Sequence, residues 1–210
     1  MGKKNCFDFE EEYGIITNYV GEKEEVEIPV EINGIKVKMI GDFAFEGKGL
    51  KKVIFPDTLV EIGEGAFRNN LLKEIKLPDS LKKIMSNAFR KNKLNKINFP
   101  KKIKKVSKSC FWNNQLQQVI LPSQIEEIKP CAFAENKLKN IVFSKNLRVI
   151  GFGAFENNEL EKIEINKKIE KIDYGAFADN KLREVIIPDK DFEFKDSTFE
   201  NNPNFKFKKV

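Results

Sequence analysis

Phenylalanine recurs at a fixed interval of 22 residues along most of the chain. The eight members of this column are Phe45, Phe67, Phe89, Phe111, Phe133, Phe155, Phe177 and Phe199. A fixed short period indicates that one structural unit repeats, and that each unit buries its apolar face only against its neighbours. The pattern therefore predicts a solenoid in which the Phe column fills the space between the two sides.

Other columns accompany the phenylalanine at constant offsets. Ile or Val precedes it by five residues, and a small residue, most often Ala, comes just before it. Asn follows it by three residues, from Asn70 to Asn202, and Leu follows it by five, from Leu50 to Leu182. We expect the Asn side chains to bond free backbone groups at a bend, because the Asn amide both donates and accepts.

Each repeat also contains a short run with two alternating apolar residues, such as Val53 and Phe55, and Pro often ends the run, as at Pro56. The alternation predicts a short strand with one face inward, and proline prevents its continuation. Segments such as 63–67 are too short for a stable helix and predict a tight turn or a single 3₁₀ turn. The predicted fold is a mainly β, right-handed coil of 22-residue repeats, with a parallel sheet on one face and short turns or 3₁₀ segments on the other.

The repeat resembles the BspA-type leucine-rich repeat, a family found in surface proteins of bacteria and some protozoa. Leu50 to Phe67, with Leu-Lys-Lys-Val-Ile-Phe-Pro at its start and Gly-Glu-Gly-Ala-Phe at its end, carries the resemblance, which extends from about Val26 to Asn202. The resemblance implies a leucine-rich repeat solenoid that is located at the cell surface or secreted.

We expect one continuous domain in three parts. Residues 1–39 form a strand-rich N-terminal cap, in which Asn33-Gly34 indicates a hairpin turn. Residues 40–203 form the leucine-rich repeat array of 22-residue units, and residues 204–210 form the C-terminal end or cap. The first residues of the chain are basic, but no apolar stretch follows them, so no leader is predicted in this chain.

The composition argues against an enzyme. The chain has no His, which excludes Ser-His-Asp and Cys-His catalysis and nearly all common catalytic zinc sites. The pairs Gly63-x-Gly65 and Gly151-x-Gly153 lack the third glycine of a dinucleotide-binding loop, and both occupy the same repeat position, as turn glycines would. We therefore predict no catalytic, cofactor-binding or metal-binding residues.

Three cysteines, an odd number, argue against a disulfide framework. Cys110 occupies the small-residue position before Phe111, and Cys131 stands one residue before that position in the next repeat. Two small buried thiols are the favoured interpretation. A disulfide between adjacent coils is the alternative, and only measured geometry decides between them.

The net charge of +6 is concentrated in the middle of the chain. The stretch from Ser80 to Ile125 contains no Asp or Glu, and we call it the basic band. Its basic residues are Lys82, Lys83, Arg90, Lys91, Lys93, Lys96, Lys101, Lys102, Lys104, Lys105 and Lys108. The rest of the chain is slightly acidic. We expect the basic band to attract acidic partners such as sulfated glycans.

The candidate partner-binding residues on the open sheet face are Ile120 and Val142, beside the uncharged Gln118 and Asn140. An exposed apolar pair with polar neighbours either marks a contact site or only packs one strand against the next. In the basic band, the candidate partner-binding residues are Lys96, Lys101, Lys102, Lys104 and Lys105.

Trp112 is the only Trp of the chain, and we expect it at the surface beside Arg90. Both residues are further partner-binding candidates. Either Trp112 is an aromatic anchor at the end of the basic band, or the two side chains form a stack that only holds the coils together.

Two functions remain open. The resemblance implies a non-catalytic binding or adhesion module of a microbial surface protein, which recognises protein or acidic glycan partners on its open sheet face and basic band. The alternative is an intracellular protein-interaction scaffold or a non-specific nucleic-acid binder that attracts phosphates. Lysines without interleaved aromatic residues are poor readers of nucleic acid, so nucleic acid is the less expected partner. No apolar run approaches the roughly 20 residues that span a bilayer, so no membrane insertion is expected.

Overall fold

The computed structural model describes residues 6–189, 193–195 and 197–210. Within these residues the chain forms a β-solenoid of about nine turns, without a helix. The strands are β1 (Phe7–Glu10), β2 (Ile15–Tyr19), β3 (Glu25–Glu27), β4 (Glu31–Ile32), β5 (Ile35–Lys36), β6 (Met39–Ile40), β7 (Lys52–Ile54), β8 (Glu61–Ile62), β9 (Lys83–Ile84), β10 (Lys105–Val106), β11 (Gln118–Ile120), β12 (Glu127–Ile128), β13 (Asn140–Val142), β14 (Val149–Ile150), β15 (Lys162–Glu164), β16 (Lys171–Ile172), β17 (Glu184–Ile187) and β18 (Lys206–Lys209). The first residues, on which the expectation about a leader rests, lie outside the described part.

Equivalent strands of successive coils pair in parallel. The open sheet face contains the pairs β3–β7 and β11–β13 and the triple β15–β17–β18, which confirms the predicted parallel sheet. A second ladder of short strands runs along a neighbouring side, as β2–β6–β8–β9 and β10–β12–β14–β16. The sequence pattern did not predict this second ladder, because two residues per coil are too few to show an alternation.

Tight turns form the remaining side of the coil. From Phe45 to Phe177, the backbone N–H of each Phe of the 22-residue column donates to the carbonyl of the residue before the next Phe of the column, for example from Phe67 to Ala88 at 2.8 Å. Two residues of each turn have positive φ, and most of these positions hold Gly, Asn, Asp or Ser, as at Gly65 (φ 57°) and Asn113 (φ 55°). The tight turn is therefore the correct alternative, and no 3₁₀ segment occurs in the described residues.

The phenylalanine column forms a continuous stack of nearly parallel rings. From Phe45 to Phe177 the side chains are fully buried, with adjacent ring centroids 4.9 to 5.8 Å apart and planes inclined by 3 to 18°. Tyr19 continues the stack at the N-terminal end, 5.3 Å from Phe45, and the half-buried Phe199 continues it at the other end. This aromatic spine confirms the predicted core.

The Asn column joins neighbouring coils through buried hydrogen bonds. The Oδ1 of Asn136 accepts from the backbone N–H of Leu116 at 3.0 Å, and its Nδ2 donates to the carbonyls of Phe111 and Phe133 at 2.9 and 3.1 Å. The same pattern recurs from Asn70 to Asn202. A buried backbone group left without a partner costs about 1–3 kcal/mol, so each Asn stabilises two coils at once.

The first part of the chain already belongs to the solenoid. Strand β1 pairs antiparallel with β2, while β2 and β3 begin the two ladders. Strands β4 and β5 form a hairpin across Asn33-Gly34, whose φ values are 52° and 79°, as the turn pattern predicted. At the other end, β18 extends the open sheet beside β17. The boundaries proposed for the cap, the array and the C-terminal end remain a prediction.

Both repeat cysteines are free thiols. Cys110 is fully buried, and this burial raises the pKa of its thiol far above the ordinary value. Cys131 is half-buried in a left-handed position (φ 55°), and burial, followed by the nearby Glu156 carboxylate, raises the pKa of its thiol as well. The thiol interpretation is therefore the correct one, although Cys131 is more accessible than expected.

The aromatic spine predicts a large loss of stability when one ring is removed. Phe111→Ala should lower the free energy of unfolding by about 3–5 kcal/mol, because the stacked coils cannot collapse into the cavity. Urea unfolding followed by circular dichroism measures the difference. The matched control is Phe152→Ala, since the Phe152 side chain is 51% exposed and its loss should change little. A loss below about 1 kcal/mol for Phe111→Ala would contradict a spine that supports the fold.

Candidate functional site

The open sheet face presents the predicted apolar pair to solvent. Strands β11 and β13 pair so that Ile120 lies beside Val142, and Gln118 lies beside Asn140. The side chains of Ile120 and Val142 are 58% and 50% exposed. Their neighbours on the same strands, at positions 119 and 141, point inward, which is the consequence of strand alternation. The structure therefore brings these four candidate residues together.

A hollow interrupts the same sheet face two coils earlier. Residues 74–76 and 96–98 occupy the strand position of their coils, yet in the described part of the chain they pair with neither β7 nor β11. A hollow of about 750 Å³ lies at this place. Its apolar wall consists of Val53, Phe55, Ile75, Leu77 and Phe99, and its charged rim includes Lys52, Glu74, Lys76 and Lys96. The sequence contains no sign of it, because these repeats keep the same apolar pattern.

The lysines of the basic band are exposed but do not lie on one face. Lys96 belongs to the open sheet side, Lys101 and Lys102 form a corner turn, and Lys104 and Lys105 lie at the second ladder. Lys105 also forms an ion pair, in which its Nζ donates to a Glu127 carboxylate oxygen at 2.9 Å. Residues that are contiguous in sequence therefore encircle the solenoid instead of forming a patch.

A different basic feature emerges at one corner of the coil. The turn that follows the open sheet strand occupies residues 101–102, 123–124, 145–146 and 167–168 in four successive coils. These turns contain no Asp or Glu, and their five exposed lysines are Lys101, Lys102, Lys145, Lys167 and Lys168. We call this line the corner ridge. The sequence did not reveal it because its members belong to different repeats and only stacking aligns them.

Trp112 and Arg90 meet at the turn side, as predicted. The Cζ atom of Arg90 lies 3.7 Å from the centroid of the Trp112 ring, and the indole is half-buried. Among the described residues, the buried Nε of Arg90 has no hydrogen-bond partner, and its Nη1 donates a long hydrogen bond of 3.4 Å to the Oδ1 of Asn87. Stacking on the indole therefore holds the guanidinium in place.

A second hollow, of about 320 Å³, opens on the other side of Trp112. The lining residues are Trp112, Cys131, Ala134, Glu135, Glu156, Asn157 and Asp179. We call it the turn-side hollow. Burial, and then repulsion from Asp179 and Glu135, raises the pKa of the Glu156 carboxyl above its ordinary value. The surface beyond Trp112 is therefore acidic and does not continue the basic band.

At the second ladder, ion pairs shift the pKa of a carboxyl in the opposite direction. The Glu127 carboxylate forms ion pairs with Lys129 at 2.6 Å and with Lys105 at 2.9 Å, and these contacts lower the pKa of its carboxyl. In residues 6–189, 193–195 and 197–210, no group of three or more His, Cys, Asp and Glu is placed to hold a metal ion. The same residues contain no helix long and apolar enough to cross a bilayer.

The repeats define the class of protein. The model of the BspA type leucine rich repeat region matches six copies, over residues 24–138 and 86–206. The chain therefore belongs to the BspA-type leucine-rich repeat family, whose members are generally non-enzymatic repeat scaffolds, and it is a protein-interaction repeat module. No curated protein matches the sequence.

The solved structures that are similar to this solenoid include three bacterial proteins. A leucine-rich repeat protein of T. pallidum is 28% identical, with a TM-score of 0.68, over 82% of this chain and 85% of that one. A leucine-rich repeat protein of Bacteroides ovatus is 20% identical, with a TM-score of 0.67, over 93% of this chain and 64% of that one. The pneumococcal vaccine antigen PcpA is 24% identical, with a TM-score of 0.54, over 80% of this chain and 51% of that one. The last two similarities show the fold alone.

The two perturbed carboxyls predict opposite effects on stability. A lowered pKa means that Glu127 stabilises the fold above the ordinary Glu pKa of 4.5, and that this contribution is lost as the pH falls through the lower folded-state value. The raised pKa of Glu156 means that its carboxylate destabilises the fold at neutral pH, and that protonation removes the penalty as the pH falls.

Glu127→Gln should therefore lower the melting temperature at pH 7, with a cost of about 1 kcal/mol or less, and Glu156→Gln should raise it. Both differences should shrink towards zero as the pH is lowered below about 4, where the carboxyls become protonated in folded and unfolded chains. Thermal melts of both variants at several pH values measure this. If both variants changed the melting temperature by the same amount and in the same direction, the contacts described for Glu127 and Glu156 would be contradicted.

Proposed function

We propose that this chain is a non-catalytic binding or adhesion module of a microbial surface protein. The observation that carries the proposal is the exposed apolar pair Ile120 and Val142 on the open sheet. The uncharged Gln118 and Asn140 lie beside this pair on the same two strands. Desolvating such a patch is favourable, because no charge must be stripped of water. Membership in a family of interaction repeats supports the same conclusion.

The sheet face fits a protein partner. The apolar pair and the 750 Å³ hollow lie on the same side of the solenoid, and a smaller hollow of about 390 Å³, lined by Asn95, Ile97, Gln117 and Ile120 among others, connects their coils. A surface with apolar spots surrounded by polar and charged rims has the arrangement of a protein interface, where a few buried contacts provide most of the binding energy.

Acidic glycans are the second class of partner that we propose. The corner ridge gives an extended polyanion lysines in three of its four coils, separated by multiples of the roughly 4.8 Å spacing of stacked strands. Lys101 and Lys102 of the basic band belong to this line. A nucleic-acid interface has less support, because no aromatic side chain lies among the residues of the ridge turns on which a base could stack.

The sheet face is tested on an array of extracellular matrix proteins and glycans. The double variant Ile120→Glu and Val142→Glu should abolish binding to the protein partners that the natural chain captures, because two carboxylates would be buried at the interface. The matched control replaces Phe152 and Tyr174 with Glu, since these side chains are 51% and 48% exposed and lie outside the open sheet strands. Identical array profiles for the natural chain and the Ile120/Val142 variant would refute binding through this pair.

The glycan arm is tested on a heparin column. The natural chain should be retained at low salt and released steeply as the salt rises, since the Debye length falls to about 8 Å at physiological ionic strength. Replacing Lys101, Lys102, Lys145 and Lys168 with Gln should largely abolish retention. The control carries the same charge loss at Lys23, Lys36, Lys38 and Lys48, which are exposed in the N-terminal part. Equal elution of the two variants would mean that net charge, not the ridge, causes retention.

A further inference from the structure

The turn-side hollow exists because a large residue in one coil is succeeded by a small residue at the equivalent position of the next coil. Trp112 directly follows the spine Phe of its coil, and the equivalent residue of the next coil is Ala134. The coil after that has Glu156 at this position. The short Ala134 side chain leaves space between the indole and the Glu156 carboxylate, and this space is the hollow of about 320 Å³.

The three carboxylates of the hollow differ in their partners. Glu135 accepts a hydrogen bond from the Nδ2 of Asn113 at 2.6 Å, and Asp179 accepts one from the Nδ2 of Asn201 at 2.9 Å. In the described part of the chain, the Glu156 side chain has neither a hydrogen bond nor an ion pair. Arg90 interacts electrostatically with Glu135, whereas the groups that shift the pKa of Glu156 include no cation. A half-buried carboxylate that faces two others destabilises the fold, and such a group in a cleft is a candidate for a binding site.

The indole supplies a second, independent preference for positive charge. Arg90 comes from the preceding coil, stacks on Trp112 at 3.7 Å and does not line the hollow. Apart from Trp112 itself, the lining residues come from the following coils. The ring face is therefore already a cation-binding surface within this molecule. The electron-rich face of an indole attracts ammonium and guanidinium groups, and the attraction is stronger where these groups are desolvated.

We propose that the turn-side hollow binds an organic cation, an alkylammonium or guanidinium group, between the Trp112 indole and the Glu156 carboxylate. A metal ion fits less well, because the described acidic and thiol groups are not placed to coordinate one together. A flat or elongated cation uses both the aromatic wall and the carboxylates. The site is separate from the open sheet and the corner ridge, and its charge preference is opposite to that of the ridge.

The bound cation has two possible sources: a free small molecule, or a Lys or Arg side chain of a partner protein. Trp112 is the only Trp of the chain, so its fluorescence reports on the hollow directly. Butylammonium and methylguanidinium are the free probes, and a short lysine-rich peptide represents the protein source. Sodium chloride at matched ionic strength corrects for screening.

Both free probes should quench Trp112 fluorescence with a saturable curve in the natural chain. Glu156→Gln should weaken this binding at least tenfold, while the matched control Glu164→Gln, which removes an exposed carboxylate from the open sheet side, should leave it unchanged. Bound cation should also slow alkylation of Cys131, which lines the hollow, and leave alkylation of the exposed Cys6 unaffected. Thermal melts show that each variant is folded.

A peptide that binds at least tenfold more tightly than butylammonium, with the same loss in Glu156→Gln, supports a partner protein as the source. Equal affinities of peptide and free probe support a small cation. The proposal is overturned if no probe gives a saturable response, or if Glu156→Gln and Glu164→Gln respond alike. Heparin retention is measured in parallel, and because it depends on the ridge lysines, its outcome is independent of the cation titration.

Discussion

The stacking of aromatic rings along one axis determines the length and register of every coil in this solenoid. Each coil must return its Phe to the same line, with adjacent rings 4.9 to 5.8 Å apart from Phe45 to Phe177, so the number of residues per turn cannot drift. The Asn column secures the same register through backbone hydrogen bonds between neighbouring coils. Ring stacking and amide bonding together favour one repeat length, and the rest of the coil follows from it.

The packing of the core determines the residue type at the inward positions of each repeat, whereas the outward residues differ from one repeat to the next. The column after the spine Phe contains Glu46, Arg68, Arg90, Trp112, Ala134 and Glu156 in turn, while the spine Phe beside each of them is fully buried. Neighbouring coils bring these unrelated residues to about one strand spacing from each other. Binding chemistry in such a protein therefore arises across coils, from residues 22 or 44 positions apart, and not from contiguous motifs.

The outward surface separates into sides of different character. The corner ridge is basic, the turn-side hollow is acidic and aromatic, and the open sheet between β11 and β13 is apolar and uncharged. Charge separation of this kind allows one rigid module to contact chemically different groups without competition, because screened charges on different sides of the coil interact little. Rigidity also lowers the entropic cost of binding, since few groups become ordered on contact.

The solenoid, the buried Phe and Asn columns, the contact of Trp112 with Arg90 and the position of Ile120 beside Val142 were predictable from sequence, because each depends on a constant offset within one repeat or between adjacent repeats. The hairpin at Asn33-Gly34 was predictable from its local turn pattern. The folded chain was needed to show where the pairing of the sheet is interrupted, which lysines align along a corner, and that the surface beyond Trp112 is acidic. Those features depend on how whole coils stack and on side chains that differ between repeats, and no periodic pattern encodes either.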